Sequence, residues 1–276
     1  MNTDTLKINT KYCSFSMDEL KEIFSACIEK SFKFDVQPSE DMAKLTTVSK
    51  FGGKPYSEGE SWPLCTSCKE PLSFIFQCNN TGLDNFGKNV ENNCLYVFFI
   101  CPMECFKGVD DKPNTTYCLR KYYSPSLDKA QEMHQPEMSD FYADFYAGGA
   151  NIIPSKIDLI KSISFLRLED CDAASSLVLD LIAESPDQEE DLYQKIGEEL
   201  LNMTDFNDDG DATKYLGVPN FFNDMDTPEC LMCSKPMALL FQLQAEAGFS
   251  WGDAGALYIF YCPEHPENNE CRGLTC

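Results

Sequence analysis

The feature that most constrains this sequence is an internal repeat, because a segment that occurs twice with the same pattern is expected to fold twice in the same way. Residues 62–68 read WPLCTSC and lead into PLSFIFQ at 71–77. Residues 227–233 read TPECLMC and lead into PMALLFQ at 236–242. The shift between the copies stays constant at 165 residues from the first proline to the glutamine. The sequence therefore predicts a duplicated fold.

Each copy also contains apolar runs that indicate β-strands. Leu72, Phe74 and Phe76 alternate with polar residues in part of the first copy, which is typical of a half-buried strand. The runs CLYVFFICP at 94–102 and ALYIFYCP at 256–263 are continuously apolar, as expected for strands buried on both faces. We therefore expect each copy to form paired strands that end at a Cys-Pro dipeptide.

Cysteine spacing predicts a metal site in each copy. A CxxC pair is followed, after 32 residues in the first copy and 28 in the second, by another close-spaced pair of ligands. Two such pairs provide the four sulfur or imidazole ligands of a tetrahedral structural zinc ion. The predicted ligands are Cys65, Cys68, Cys101 and Cys105 in the first site and Cys230, Cys233, Cys262 and His265 in the second. The expected cofactors are therefore two structural Zn²⁺ ions.

Three other roles for these cysteines compete with zinc binding: a redox dithiol, an iron–sulfur cluster and free buried thiols. A dithiol redox motif would need no distant second pair, and both CxxC motifs have one. Four thiolates in the first site could also hold an iron–sulfur cluster, whereas the histidine makes that less suitable for the second. Free buried thiols are the remaining alternative. Cys271 and Cys276 lie close to His265 in the sequence and are alternative ligands there.

Composition limits the location and the partners of the protein. Fifteen cysteines without a recognisable secretory signal indicate a reducing, cytoplasmic environment. No apolar run is long enough for a transmembrane helix. The net charge of −23, from 45 acidic and 22 basic residues, disfavours nucleic acid as a partner and favours a basic protein client.

The remaining segments predict helices around the repeats, and hence an α+β fold. An apolar stripe and a capping-box spacing predict a helix near residues 17–32, and Ser185-Pro186 is a typical start for a second helix. The fold class predicted is a β-rich α+β fold of two intertwined repeats with a few peripheral helices. Its segments are a helical N-terminus (1–45), repeat 1 (46–125), a connector with helices (126–210) and repeat 2 (211–276), together forming one integrated globular unit.

Little in the sequence points to catalysis. If His265 binds metal, His134 is the only other imidazole for acid–base chemistry, and it lies in a polar segment. No phosphate-binding loop of the GxxxxGK[S/T] type occurs. Four-ligand metal sites leave no open position for a catalytic water. We therefore predict no catalytic and no organic-cofactor residues, although a carboxylate-dependent enzyme remains an alternative.

Several of these motifs resemble known families. The K-x-G-G-x-P, W-P and CxxC elements, together with FSWGDAGALY at 249–258 and CPEHP at 262–266, are similar to the YwqG-like family of duplicated proteins. Residues 49–77 and 95–105 also look like the N-terminal half of the programmed-cell-death-protein-2 family. The resemblance covers roughly half of the chain. It implies a β-rich α+β fold with two intertwined copies, and relatives that chaperone a nascent ribosomal small-subunit protein or bind other proteins.

The sequence Trp251-Gly252-Asp253 occurs in the second copy alone. It is a candidate binding loop, in which Trp251 supplies contact area and Asp253 receives a basic group. The alternative is a tight turn, in which Gly252 adopts an unusual dihedral angle and Asp253 caps backbone N–H groups. The function predicted is a zinc-binding protein-interaction module, such as a chaperone or assembly factor for a basic client. A structural subunit of a larger complex is a further alternative.

Overall fold

The structure, a computed structural model, describes part of the chain. The described residues are 8–9, 14–15, 28–84, 86, 88–101, 117–137, 152–165, 207–208, 212–221, 227–249 and 256–274. The chain divides into two compact units, a smaller one of Met1–Phe32 with Lys161–Gly210 and a larger one of Lys33–Ile160 with Asp211–Cys276. The larger unit contains both copies of the repeat.

Thirteen strands and one short 3-10 helix are present in the described part of the chain. In chain order they are β1 (Ile8–Asn9), β2 (Ser14–Phe15), β3 (Ile28–Pro38), the 3-10 helix (Glu40–Ala43), β4 (Lys50–Phe51), β5 (Ser73–Asn79), β6 (Cys94–Ile100), β7 (Tyr117–Tyr123), β8 (Ser155–Phe165), β9 (Asn207–Asp208), β10 (Lys214–Leu216), β11 (Ala238–Leu243), β12 (Ala256–Tyr261) and β13 (Asn269–Leu274). In the smaller unit, β1 pairs with β2, and the end of β8 pairs in parallel with β9.

The two copies form matching halves of one sheet. The strand order is β13-β12-β11-β10-β3-β8-β4-β5-β6-β7. The order outward from β4 in the first copy therefore mirrors the order outward from β10 in the second. A register shift occurs between Phe74 and Phe76 in β5 and between Leu239 and Phe241 in β11, which are equivalent positions. The duplication seen in the sequence extends to this irregularity of the backbone.

The two long strands are exchanged between the halves. β3 precedes the first copy in the chain but lies beside β10 of the second, where the Phe34 N–H donates to the carbonyl of Thr213 at 2.9 Å. β8 precedes the second copy but lies beside β4 of the first, with Lys50 opposite Lys156. Each half of the sheet is thus completed by a strand that belongs, in sequence, to the other half.

Aromatic side chains fill the core where the copies meet. Phe76 and its equivalent Phe241 are both fully buried, and their ring centroids lie 5.0 Å apart in an edge-to-face arrangement. Phe34 of β3 packs on both rings, at 6.3 and 6.4 Å. Edge-to-face pairs of this kind add to the free energy gained by burying the rings. The copies therefore share one core.

The glutamine that ends the repeated motif has a structural role. Gln77 is completely buried; its Oε1 accepts the N–H of Tyr56 at 3.0 Å, and its Nε2 donates to the carbonyls of Thr46 and Val48 at 2.7 and 2.8 Å. The equivalent Gln242 is equally buried and bonds the flanking backbone in the same way. Each glutamine thus joins its strand to backbone groups of the neighbouring loops, and in the first copy it satisfies the buried N–H of Tyr56.

The predicted α+β class with peripheral helices is wrong. The described residues are rich in β-structure, and the 3-10 helix Glu40–Ala43 is their only helix. The helix predicted near 17–32 is wrong from Ile28 onward, because β3 begins there and Phe32 and Phe34 alternate onto the buried side. Residues 17–27 and the helix predicted after Ser185-Pro186 lie outside the described residues.

The strands predicted from apolar runs are confirmed in β6 and β12, both buried along their whole length. The prediction of a half-buried strand at 72–76 is wrong in its burial, since five consecutive residues of β5 are buried. Phe76 packs on Phe34 and Phe241, and Phe74 lies in a buried cluster with Tyr56 and Trp62, so side chains from other segments cover β5. In the described part of the chain, no helix has the length and apolar character needed to cross a membrane.

Candidate metal centres

Each CxxC motif lies in a tight turn that the backbone holds closed. In the first copy the N–H of Cys65 donates to the carbonyl of Glu70 at 2.8 Å, and the N–H of Lys69 donates to the carbonyl of Cys65 at 2.9 Å. An isolated bridge between Leu64 and Pro71 closes the base of the turn. Lys69 has a φ of +69°, which lets the chain reverse directly after the second cysteine.

The turn in the second copy repeats these contacts residue for residue. The N–H of Cys230 donates to the carbonyl of Lys235 at 2.9 Å, and the N–H of Ser234 donates to the carbonyl of Cys230 at 2.7 Å. An isolated bridge joins Glu229 to Pro236. Ser234 has a φ of +55°, as its equivalent Lys69 does in the first turn. We call residues 229–236 the second cysteine turn and residues 64–71 the first. The same local backbone therefore presents both CxxC pairs.

The second site brings together all four residues that the sequence predicted. The ligand atoms of Cys230, Cys233, Cys262 and His265 all lie within 4.8 Å of one another. The sulfurs of Cys233 and Cys262 are 3.6 Å apart, and the Nδ1 of His265 lies 3.6 Å from the sulfurs of both Cys230 and Cys262. Ligands at about 2.3 Å from a tetrahedral ion lie about 3.8 Å apart, so this cluster has the dimensions of a metal site.

The turn between β12 and β13 carries the second ligand pair. Cys262 follows the last residue of β12, and the N–H of His265 donates to its carbonyl at 3.1 Å. The N–H of Asn268 then donates to the carbonyl of His265 at 2.8 Å. The Asn268 side chain turns back to the cluster, where its Nδ2 donates to the sulfur of Cys230 at 3.2 Å. Such a bond orients the sulfur and favours its thiolate form.

The environment of Cys230 favours the thiolate that a metal requires. Burial acts to raise the pKa of Cys230, but the N–H groups of Met232 and Cys233 and the amide of Asn268 outweigh it and lower the pKa to about 6. The N–H of Met232 lies 3.4 Å from the sulfur. Hydrogen bonds donated to a thiolate stabilise the charged form. The Cys230 thiol therefore loses its proton more readily than an ordinary cysteine thiol.

The first site brings together three of its four predicted residues. The sulfurs of Cys65, Cys68 and Cys101 lie within 4.8 Å of one another, with 3.7 Å between Cys68 and Cys101. Burial acts to raise the pKa of Cys65, but the N–H groups of Cys68 and Ser67 lower it below its ordinary value. Cys105 lies outside the described residues. This cluster too could hold a metal ion.

Residues of the first copy hold the turn that carries Cys262 and His265. Lys121 in β7 donates to the carbonyl of Pro266 and forms an ion pair with Glu91 at 2.9 Å. Asn89 donates to the carbonyl of Pro263, and the hydroxyl of Tyr117 donates to the carbonyl of Asn269 at 2.9 Å. The position of the second site therefore depends on side chains outside its own copy.

Sequence reasoning missed these supporting residues. Asn268 and Lys121 match no ligand motif. Asn268 contacts Cys230 and Lys121 contacts Pro266, and the two residues of each pair are distant in sequence. His134 is exposed and belongs to neither cluster. The candidate binding loop, Trp251, Gly252 and Asp253, lies outside the described residues, as does Cys276. Cys271 lies in β13 opposite Ile259, and its side chain is not described.

The fold and the clusters together define a class of protein: a duplicated, β-rich protein with two cysteine-containing clusters that could hold metal ions. Residues 49–270 match the family described as Domain of unknown function (DUF1963), and the chain belongs to that family. The comparison with curated proteins gives no match.

Proposed function

We propose that this protein is a zinc-binding, cytoplasmic protein-interaction module that binds a basic client, in the manner of a chaperone or assembly factor. The observation that carries the proposal is the second cluster, where three thiols and one imidazole lie at tetrahedral spacing. Thiolate and imidazole ligands suit Zn²⁺, and a mixed set of this kind is common in structural zinc sites. The first site would hold a second Zn²⁺, with Cys105 as its fourth ligand.

A structural role for the metal follows from the complete set of ligands. With Cys230, Cys233, Cys262 and His265 all bound, a tetrahedral ion has no position left for water or substrate. Cys230 and Cys262 are almost completely buried, which further separates the ion from solvent. The zinc would therefore fix the two turns and the strands that end there, and the interacting surface would lie elsewhere on the protein.

The basic client is inferred from charge. A net charge of −23 attracts cationic partners, speeds their association and repels phosphate backbones. The resemblance to the programmed-cell-death-protein-2 family supports this choice, because it implies relatives that chaperone a nascent ribosomal small-subunit protein, and ribosomal proteins are basic. The YwqG-like family adds no established activity. Asp253 in the candidate binding loop would add a carboxylate to such a surface.

The function can be tested by affinity capture from the native cytosol with the zinc-loaded protein as bait. We expect a small set of basic proteins at low salt and a marked loss of them at high salt, because screening weakens contacts between exposed charges. An acidic bait of similar net charge and unrelated fold is the control for simple ion exchange. Capture of no basic protein, or the same capture by the control, would refute the client proposal. One stoichiometric, salt-resistant complex would favour the structural-subunit alternative.

A carboxylate-dependent enzyme is the second candidate, and Glu246 is the observation that favours it. Burial raises the pKa of Glu246 to about 7, although the hydroxyl of Thr213 and the charge of Lys33 act in the opposite direction. Its Oε2 is buried without a hydrogen-bond partner among the described residues. A carboxyl group that titrates near neutrality can serve as a general acid or base. Turnover of a metabolite that disappears in Glu246→Gln would support this candidate.

Lys121 provides a prediction about the zinc sites. In Lys121→Met the contact with Pro266 and the ion pair with Glu91 are lost, so the turn that carries His265 is held less firmly. We expect the second site to bind Zn²⁺ about tenfold more weakly, as is found when residues that support metal ligands are removed. Competition with a chelator of known affinity would measure the change at each site.

Lys129→Met is the matched control for this measurement. Lys129 is exposed, and its Nζ donates to the carbonyl of Ser124 alone among the described contacts. We expect both Zn²⁺ affinities to stay as in the unchanged protein. If Lys121→Met also leaves both affinities unchanged, the contact across the copies has no role in holding the ligand turn.

A further inference from the structure

The second cysteine turn exposes two large apolar side chains at its tip. Leu231 and Met232 lie between Cys230 and Cys233, and their exposed fractions are 73% and 65%. The equivalent positions in the first turn hold Thr66 and Ser67, which are small and polar. The two turns have the same backbone contacts, so the geometry of a CxxC turn does not require apolar residues at the tip. Their presence in one copy alone needs another reason.

Backbone contacts close the base of this turn, which makes the tip suitable for contact with a partner. Two backbone hydrogen bonds, between Cys230 and Ser234 and between Cys230 and Lys235, fix the turn, together with the bridge from Glu229 to Pro236. Apolar groups held on a rigid backbone lose less conformational entropy on binding than groups on a mobile loop. A methionine side chain also adapts its shape to varied apolar partners.

The charged groups around the tip have a negative balance. Lys235 is the basic residue of the turn, and it forms an ion pair with Glu264 at 2.7 Å. Glu229, at the base of the turn, and Glu267, in the turn between β12 and β13, form no ion pair with any residue that the structure describes. Glu229 directly precedes Cys230, and Glu267 lies in the turn whose His265 and Asn268 contact the Cys230 sulfur, so both carboxylates belong to the segments that meet at the second cluster. A partner that covers the tip would bring its own positive charges to them.

We propose that the tip formed by Leu231 and Met232, with Glu229 and Glu267 in the adjoining segments, is a docking surface for a protein segment that carries apolar side chains together with lysine or arginine. The choice of a basic partner rests on the proposed function, and the surface specifies where that partner binds. The partner's apolar groups cover Leu231 and Met232 and remove them from water, which is the main source of affinity. Its basic groups lie over the carboxylates and set the orientation.

The test uses the full-length, zinc-loaded protein and short synthetic peptides as probes. One peptide alternates leucine with lysine, a second replaces each lysine by glutamate, and a third replaces each leucine by serine. Fluorescence anisotropy measures the binding of each. We expect the leucine–lysine peptide to bind well above the other two, because it alone offers both apolar and basic groups.

The deciding variant is Leu231→Thr with Met232→Ser, which gives the second turn the tip of the first. It should keep both zinc ions, since the first turn carries these residues beside its own CxxC pair, and it leaves the net charge unchanged. We expect affinity for the leucine–lysine peptide to fall by about tenfold or more. Thr66→Leu with Ser67→Met, which places the same side chains on the first turn of the unchanged protein, should not reduce binding.

Three outcomes would overturn the proposal. Equal binding of the leucine–lysine peptide to the unchanged protein and to the double variant would show that net charge alone attracts it. The proposed function could then still be correct, since affinity capture of basic clients tests it separately. No binding of that peptide to the unchanged protein would rule out the docking surface. A self-association of the unchanged protein that the double variant loses would assign the tip to contacts between copies of this chain.

Discussion

Cys233→Ser is expected to reduce the zinc content from two ions to one per chain and to lower the melting temperature by about 10 °C or more. The Cys233 sulfur lies 3.6 Å from that of Cys262, so its loss removes one of four ligands. Structural zinc contributes on the order of 10–16 kcal/mol in small zinc peptides, comparable with the whole stability of a domain. Here the shared aromatic core also supports the fold, so we expect a partial loss.

Elemental analysis and calorimetry on the same samples would measure both effects. Cys118→Ser is the matched control, because Cys118 is a half-buried free thiol that belongs to neither cluster. Its zinc content should remain at two ions, with a smaller change in melting temperature. Two ions in Cys233→Ser would contradict the ligand assignment, and iron in the unchanged protein would contradict the choice of metal.

Gln77→Leu is expected to destabilise the protein by about 3 kcal/mol and to lower its melting temperature by roughly 10 °C. Leucine fills a similar volume but leaves the N–H of Tyr56 and the carbonyls of Thr46 and Val48 without their partner. Unsatisfied buried groups cost about 1–3 kcal/mol each, although some of these carbonyls can regain water. The zinc content should stay at two ions, because no cluster is touched.

Gln242→Leu provides the comparison within the same chain. Gln242 accepts the N–H of Asn220 at 2.8 Å and donates to the carbonyl of Ala212 at the longer distance of 3.3 Å. We therefore expect a smaller loss of stability than in Gln77→Leu, measured by urea unfolding of both variants. Equal and small losses would show that the repeated glutamine contributes packing rather than hydrogen bonds.

The clusters could be predicted from the sequence because their ligands come in local pairs. A CxxC turn places two sulfurs close together by itself. The continuous apolar runs form β6 and β12, which end just before Cys101 and Cys262 and place these residues next to the CxxC pairs. These features depend on residues near one another in the chain. The repeat added a second, independent copy of the same signal.

The class of fold could not be predicted because its decisive contacts are distant in sequence. The stripe that suggested a helix near 17–32 ends in β3, whose place in the sheet is beside β10 and not beside its own copy. Nothing in the local pattern of Phe32 and Phe34 specifies that neighbour. The support that Lys121 gives to the turn carrying His265 is likewise a product of the assembled sheet.

The exchange of β3 and β8 has a consequence for the origin of the chain. A polypeptide of half this length, with one long strand, one cysteine turn and one set of short strands, would lack a neighbour for its strand β4 or β10. Two such polypeptides could supply each other's missing strand, as in a domain-swapped dimer with twofold symmetry. The present chain has the architecture of that dimer with its subunits fused, so each half needs the long strand of the other to complete its part of the sheet.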